Sequence, residues 1–324
     1  MNKAQLIEGS RKVLSERKRG IRGKPERSFL SIAELSKEKF GEIVFGGIKV
    51  KQNPEKFSRA LKGKSVGLLF QKTSTRTRCS FEIGVGEMSG QPMYVDWRTS
   101  NFTLADLEDE IKVLSRYVDL IMARVYKNED LQVMKKYSEV PIINGLCNFY
   151  HPCQGLADYM TIAEYYGGFD GLRITYIGDG NNVCNSLING AIKAGMHITV
   201  AHPLGHEPKK EVVEEARKRK LITLTQSPEE AVKDADIVYT DTWISMGQEN
   251  QKEERIKAFQ RYSITKKLLE HAPEHTLIMH CLPAHRGYEI DGNVIESGNS
   301  IIFDQAENRK HVQKYLMLNV LELV

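Results

Sequence analysis

The run Phe70-Gln71-Lys72-Thr73-Ser74-Thr75-Arg76-Thr77-Arg78 sets hydroxyls and two guanidinium groups between an apolar, strand-like stretch and a helix-like one, Cys79–Met88. Orphan backbone N–H donors, the positive end of a helix dipole and the forked donors of arginine together suit a phosphate dianion. Ser and Thr are also ordinary helix caps, so a capped helix with exposed arginines accounts for half of the pattern. Two Arg and three Thr crowded around one cap favour anion binding. The segment is not a Walker loop, because its glycines and Gly-Lys-Ser/Thr ending are missing.

Four further segments carry polar groups at the ends of apolar runs. Arg124 closes Met122-Ala123-Arg124, and His151-Pro152-Cys153-Gln154 opens a helix-like stretch; together these groups can polarise a carbonyl oxygen and bind an amide. Taken alone, His151 before a proline reads as a helix start. Gly178-Asp179-Gly180-Asn181-Asn182 resembles a dinucleotide fingerprint, yet the third glycine and the acidic residue after the next strand are absent, so nicotinamide binding is disfavoured. Its Asn pair suits a substrate carboxylate or amine. Asp241 through Gly247 places a carboxylate beside a Ser-Met-Gly loop, which fits an ammonium group or, more plainly, a polar capped loop. In His280-Cys281-Leu282-Pro283, neighbouring residues of an extended strand point to opposite faces, so His280 is a poor base for Cys281. A buried structural cysteine, or a thiol that helps to seat a substrate, remain as readings.

These segments need a scaffold that brings strand ends together. Ten short apolar runs alternate with helix-like stretches: Ser65–Phe70, Met93–Asp96, Leu120–Arg124, Val140–Asn144, Arg173–Gly178, His197–Ala201, Leu221–Thr225, Ile237–Asp241, Thr276–His280 and Ser300–Phe303. That alternation predicts an α/β fold of two doubly wound parallel sheets with helices on both faces. We expect a basic extension over residues 1–27, a first domain over 28–150, a second over 151–304, and a closing helix over 305–324 with its amphipathic stretch at Ala306–Leu323. In such sheets ligands sit beyond the carboxyl ends of the strands, where all five segments lie.

The 324 residues exceed what one hydrophobic core usually serves, and a formal charge of +4 is unevenly spread. Residues 1–27 hold nine Lys/Arg against three Glu, which leaves the remainder slightly acidic. That balance argues against a nucleic-acid-binding body, and the tail reads as an added helix or a polyanion-binding arm. No apolar run is long enough to span a membrane, and no signal core opens the chain. Five cysteines without a Cys-x-x-Cys pair point to a reducing compartment, the cytoplasm, and away from a structural metal.

Together, Ser74-Thr75-Arg76-Thr77-Arg78, Arg124, His151-Pro152-Cys153-Gln154, Gly178 through Asn182, Asp241 through Gly247 and His280-Cys281-Leu282-Pro283 resemble the aspartate/ornithine carbamoyltransferase superfamily over about residues 28–324. The Ser-Met-Gly loop and His-Cys-Leu-Pro resemble its ornithine branch. The resemblance implies carbamoyl transfer from carbamoyl phosphate to the side-chain amine of L-ornithine, giving citrulline and phosphate, as in arginine biosynthesis, without cofactor or metal. It implies that Ser74, Thr75, Arg76 and Thr77 hold the phosphate, and that Arg124, His151 and Gln154 serve the carbamoyl end, with Arg76, Arg124 and His151 as cationic donors. Leu146, Asn182, Asp241, Ser245 and Met246 would seat ornithine, while Cys281, Leu282 and Arg309 complete the site. The closing helix would pack back on the first domain, and the chain would form trimers.

One stretch, Val95-Asp96-Trp97-Arg98-Thr99-Ser100-Asn101-Phe102-Thr103, departs from the family pattern, which there has a Gln and a later basic-x-Glu-Ser run reaching into a neighbouring subunit. Arg98 or Trp97 is the candidate to close the neighbour's site. Putrescine, lysine or an acylated ornithine stand as alternative acceptors, the last disfavoured by the Ser-Met-Gly loop.

Overall fold

Continuous apolar runs flanked by polar turns mark strands covered on both faces, as parallel sheets require. A computed structural model of the chain describes residues 5, 8, 25–244 and 249–324. The basic stretch Arg17–Lys24 and the loop residues Ser245 and Met246 lie outside them. The first sheet comprises β1 (Ser65–Phe70), β2 (Gln91–Asp96), β3 (Leu120–Arg124) and β4 (Ile142–Leu146), all parallel, in the order β2-β1-β3-β4. The second comprises β5 (Arg173–Ile177), β6 (His197–Ala201), β7 (Ile222–Thr225), β8 (Ile237–Thr240) and β9 (Leu277–His280), also parallel, in the order β7-β6-β5-β8-β9.

Each order reverses once. The chain leaves β1 towards β2 on one side and returns to build β3 on the other; it leaves β5 towards β6 and returns to build β8. The loops after β1 and β3, and after β5 and β8, therefore diverge and leave a crevice, which is where ligands bind in open α/β sheets.

The helices that matter for the site are α1 (Lys37–Gln52), α2 (Thr75–Glu87), α3 (Pro152–Tyr166), α4 (Asn182–Ala194), α5 (Lys252–Phe259) and α6 (Ile302–Val320). α3 is buried from Pro152 to Ala163, far more than one amphipathic stripe, because it runs between the two halves of the molecule. One continuous core joins residues of both sheets through it, including Leu68, Met122, Leu156, Tyr159, Ile188 and Val200. α6 packs on α1, α2 and α3, so the chain's end returns to the first domain as expected.

Three expectations are corrected. Ser300–Phe303 is not a strand: only an isolated bridge, Ile278↔Ser300, forms before α6 begins at Ile302. Ile301 and Ile302 bury their side chains in two separate core clusters rather than on sheet faces, so nine strands are present among the described residues. β4 starts two residues later than its apolar run, after Pro141, which has no N–H to give a ladder. The helix after β1 begins at Thr75 rather than Cys79, which brings Arg76 and Thr77 into its first turn.

α3 and α4 approach closely at Gly190, where an added Cβ would lie 2.0 Å from Cε2 of Tyr159. That ring is fully buried, donates its hydroxyl to the Leu187 carbonyl at 2.7 Å and meets Phe40 edge-on, so it has nowhere to retreat. Gly190→Ala should therefore destabilise the fold by about 1–3 kcal/mol despite alanine's better helix propensity. A lowered denaturation midpoint at unchanged slope is the expected result, and an unchanged midpoint would refute the packing argument.

Candidate active site

Register places the chemistry. Phe70, Arg124 and Leu146 are partners at the last rungs of β1, β3 and β4, and Ile177, Thr240 and His280 are partners at the last rungs of β5, β8 and β9. The residues just beyond, Gln71 to Thr77 in one sheet and Gly178, Asp241 and Cys281 in the other, are therefore neighbours although they are far apart in sequence. Between Ala123 and Arg124 the β3–β4 register slips, leaving Gly145 unpaired. A side chain there would meet Met122 Sδ and the Ala123 carbonyl, so glycine permits the bulge that turns the strand ends towards the crevice.

The crevice is a cavity of about 990 Å³. Its first-sheet side is lined by Ser74, Arg76, Thr77, Arg124, Leu146 and His151, with Arg309 arriving from α6. Ser74 caps α2 by accepting from Thr77 N–H. The Thr77 hydroxyl, buried beneath, accepts from Arg124 Nη1 at 3.4 Å and from Arg309 Nη2 at 3.5 Å. Gln71 braces this corner: its N–H donates to the Arg124 carbonyl, and its side-chain oxygen accepts from Tyr126 N–H.

Three guanidinium groups thus converge, Arg124 and Arg309 buried and Arg76 half-buried at the cavity. Burial, with Arg309 and Arg76 close by, lowers Arg124 to about 9. Burial lowers Arg309 as well. His151 is held well below the usual imidazole range by burial and then by Arg309, Arg124 and Arg76, so it is neutral at pH 7. The expectation of a cationic His151 is thereby corrected: its N–H is a neutral donor, because a fourth positive charge there has no partner. Its Nδ1 is buried with no hydrogen-bond partner among the described residues. Such a cluster is electrostatically complementary to a dianion.

The second-sheet side centres on the Asp241 carboxylate and the amides of Asn181 and Asn182, with Lys209, Lys210 and the Arg255–Asp179 pair also on its wall. Asp241 accepts from the Cys281 thiol at 2.9 Å, from Asn181 Nδ2 at 2.8 Å and from Thr242 N–H at 2.7 Å. Asn181 also caps α4, and Asn182 Nδ2 donates to the Cys147 carbonyl. Burial, reinforced by Asp241, raises Cys281 well above the usual thiol range, which keeps it protonated and unsuited to nucleophilic attack. His280 faces elsewhere: its Nδ1 accepts from Leu282 N–H at 2.8 Å, which leaves Nε2 to donate to Glu289. Asp241, His280 and Cys281 offer three metal-type donor atoms within 4.8 Å of one another. With both His280 nitrogens engaged and the thiol protonated, those contacts read as a structural network that holds Leu282, itself at φ 58°, against the cavity.

Of the expected residues, Ser74, Arg76, Thr77, Arg124, Leu146, His151, Asn182, Asp241, Cys281, Leu282 and Arg309 line this one cavity. Thr75 is exposed on the first turn of α2 and does not line it. Gln154 is buried behind the wall, its Oε1 accepting from Arg309 Nη1 at 2.7 Å. Arg255 and His206 are among the wall residues that escaped the sequence reading. Arg255, on α5, is almost fully buried, pairs with Asp179 and donates to the Trp243 carbonyl, fixing the base of the loop that carries Ser245. His206 pairs with Asp179 from the loop after β6. Neither sits in a motif; Arg255 lies in a charged helix that reads as solvated.

Two family descriptions match the chain: "Aspartate/ornithine carbamoyltransferase, carbamoyl-P binding domain" over residues 27–164 and "Aspartate/ornithine carbamoyltransferase, Asp/Orn binding domain" over residues 170–320. The first takes in α3, which the sequence reading assigned to the second domain. An ornithine carbamoyltransferase of Methanocaldococcus jannaschii is 49% identical over 292 residues, 88% of this chain and 96% of that one. An anabolic ornithine carbamoyltransferase of Pyrococcus furiosus is 46% identical, over 84% of this chain and 89% of that one. A solved ornithine carbamoyltransferase structure from Pyrococcus furiosus superposes with a TM-score of 0.87 at 42% identity, covering 93% of this chain and 98% of that one. With both halves matched in order and the cavity where the two meet, the chain belongs to the aspartate/ornithine carbamoyltransferase family.

Proposed function

We propose that the protein transfers the carbamoyl group of carbamoyl phosphate to the side-chain amine of L-ornithine, giving citrulline and phosphate. The observation that carries this reading is the division of one cavity into a first-sheet half with Arg76, Arg124 and Arg309 and a second-sheet half in which the Asp241 carboxylate sits among the Cys281 thiol and the Asn181 and Asn182 amides. An anionic acyl donor and an ammonium-bearing acceptor match those halves. The relatives' names fix the choice of acceptor as ornithine.

Ser74, Arg76, Thr77 and the free N–H groups of the first turn of α2, including that of Thr75, bind the phosphate. Arg124, neutral His151 and Arg309 face the carbonyl oxygen, which gains charge as the amine attacks; Gln154 supports them from behind. Leu146, Asn182 and Asp241 seat ornithine, together with Ser245 and Met246 from outside the described residues. Cys281 and Asp241 hold the α-amino group while Leu282 closes on the carbamoyl end. The attacking amine must first lose a proton, at a cost of roughly 4–5 kcal/mol at pH 7 for an amine of lysine's basicity. No group on the wall is placed as a dedicated base, so solvent takes that proton. The nitrogen then bonds to the carbonyl carbon, and as the tetrahedral intermediate collapses the C–O bond to phosphate breaks and the departing phosphate takes a second proton from nitrogen. The residues present complete this scheme without cofactor or metal.

The reaction supplies citrulline to arginine biosynthesis in the cytoplasm, a setting consistent with five free cysteines and with a relative described as anabolic. The protein works as a trimer in which the 95–103 segment reaches a neighbour's site. There Arg98 pairs with Asp96 and remains more than half exposed, while Trp97 packs at a tilt against Phe102. Among the described residues, no helix is long and apolar enough to cross a membrane.

Incubation with carbamoyl phosphate and ornithine, putrescine or lysine should yield ureido product and phosphate with a clear preference for ornithine; no product from ornithine would end the reading. Cys281→Ala should raise the apparent KM for ornithine several-fold with a smaller change in kcat, because it removes a thiol donor to Asp241 and not a nucleophile. An unchanged ornithine affinity would refute the role given to Cys281. A Trp97→Ala, Arg98→Ala double variant should lose activity while keeping its trimeric size in solution, and full activity would discard the shared site.

A further inference from the structure

Behind the cavity wall lies a buried carboxylate that the reaction scheme above leaves unused. Asp158 stands one helical turn after Gln154 on α3, and across from them Gln305 and Arg309 stand one turn apart on α6. The four side chains form a closed set. Asp158 Oδ1 accepts from Gln154 Nε2 at 2.8 Å and from Gln305 Nε2 at 2.7 Å. Gln154 Oε1 accepts from Arg309 Nη1 at 2.7 Å, and Gln305 Oε1 accepts from the backbone N–H of His280 at 2.9 Å.

A side-chain amide has one donating and one accepting end. With a carboxylate oxygen between them, both glutamines must turn nitrogen inward and oxygen outward. The outward oxygen of Gln154 accepts from Arg309 Nη1, while Nε and Nη2 face the Gln313 amide oxygen and Nη2 also reaches Thr77 on the cavity wall. Were Gln154 reversed, its NH₂ would face the guanidinium donors and push them away. Asp158 is fully buried; its second oxygen lies towards the Tyr239 hydroxyl, and burial raises its carboxyl to about 7. A proton resting on that second oxygen leaves Oδ1 free to accept, so the orienting contact does not require the charge.

We infer that Asp158 is a positioning residue, which fixes the orientation of Gln154 and through it aims Arg309 at the phosphate half of the cavity. The inference rests on the anion-binding part of the reading above. It separates two roles for a buried acid: one that merely fills the core, which an apolar residue of similar size can replace, and one whose oxygen sets the direction of a particular amide.

The test compares inorganic phosphate and carbamoyl phosphate binding by calorimetry, and both KM values, in the full-length protein and its Asp158→Asn, Asp158→Leu and Gln154→Ala variants, with the Asp158→Leu, Gln154→Ala double. Asp158→Asn keeps an accepting oxygen at the same place, and its phosphate affinity should stay within about threefold of the parent. Asp158→Leu removes the acceptor and should weaken phosphate and carbamoyl phosphate binding by about tenfold or more, the range of a lost charged hydrogen bond. In the Gln154→Ala background it should add nothing further, because the residue through which it acts is gone.

Equal losses from Asp158→Leu in both backgrounds, or parental phosphate binding by that variant, would overturn the inference. If Asp158→Leu does not fold, Asp158→Ala carries the same comparison, and failure of both to fold would make Asp158 a core residue and overturn it equally. A parent protein that binds phosphate yet makes no ureido product from ornithine would end the functional reading alone. Phosphate affinity reports on Arg309 without any turnover.

Discussion

Arg76, Arg124 and Arg309 come from three distant parts of the chain and meet at one cavity wall, two of them buried, so their mutual repulsion is the constraint that the rest of the architecture answers. Like charges at close range in a low-dielectric setting are expensive. The protein meets the cost with acceptors that carry little or no charge of their own: the Thr77 hydroxyl, the Gln154 amide and a carboxyl whose burial raises it to about 7. A fully ionised carboxylate placed directly on the cluster would neutralise it and compete with an anionic ligand. Keeping the acid one residue removed, behind an amide, leaves positive potential in the cavity while the side chains remain held. Burial, reinforced by the same repulsion, strips His151 of its proton, which makes the site a set of donors rather than a source of protons.

α3 is what lets the two halves share this arrangement. Its cap, His151, reaches the cavity, its first two turns carry Gln154 and Asp158, and its apolar remainder fuses the cores of both sheets. A helix buried on nearly all sides cannot tilt independently of either domain. The Asp241–Cys281 pair on one wall and the arginines on the other are therefore fixed with respect to a common element, a form of preorganisation in which little rearrangement is left for the moment of reaction.

Much of this was legible in the residues themselves. Nine of ten apolar runs became strands because burial on both faces leaves an unbroken hydrophobic signature, and the polar segments after them fell at the crevice because doubly wound sheets put ligands there. Ser300–Phe303 misled because a short apolar run looks alike as a strand and as the start of a buried helix. What stayed hidden was set by tertiary neighbours. Gln154 reads as a ligand contact until Arg309 is seen to occupy its oxygen; Asp158, Gln305 and Arg255 look like ordinary polar helix residues until burial gives each two fixed partners. The protonation of His151 depends on residues 76, 124 and 309 together, which no local pattern encodes.

The return of α6 to the first domain bears on how the protein is made. Domains fold in the order in which they leave the ribosome, so the first sheet can assemble long before the last helix exists. Arg309 and Gln305 belong to that last helix, so a nascent or prematurely terminated chain would present a folded shell with one guanidinium missing and an amide left without its partner. The site is therefore incomplete until α6 has packed, and a chain lacking that helix would be kept from acting on a labile acyl phosphate.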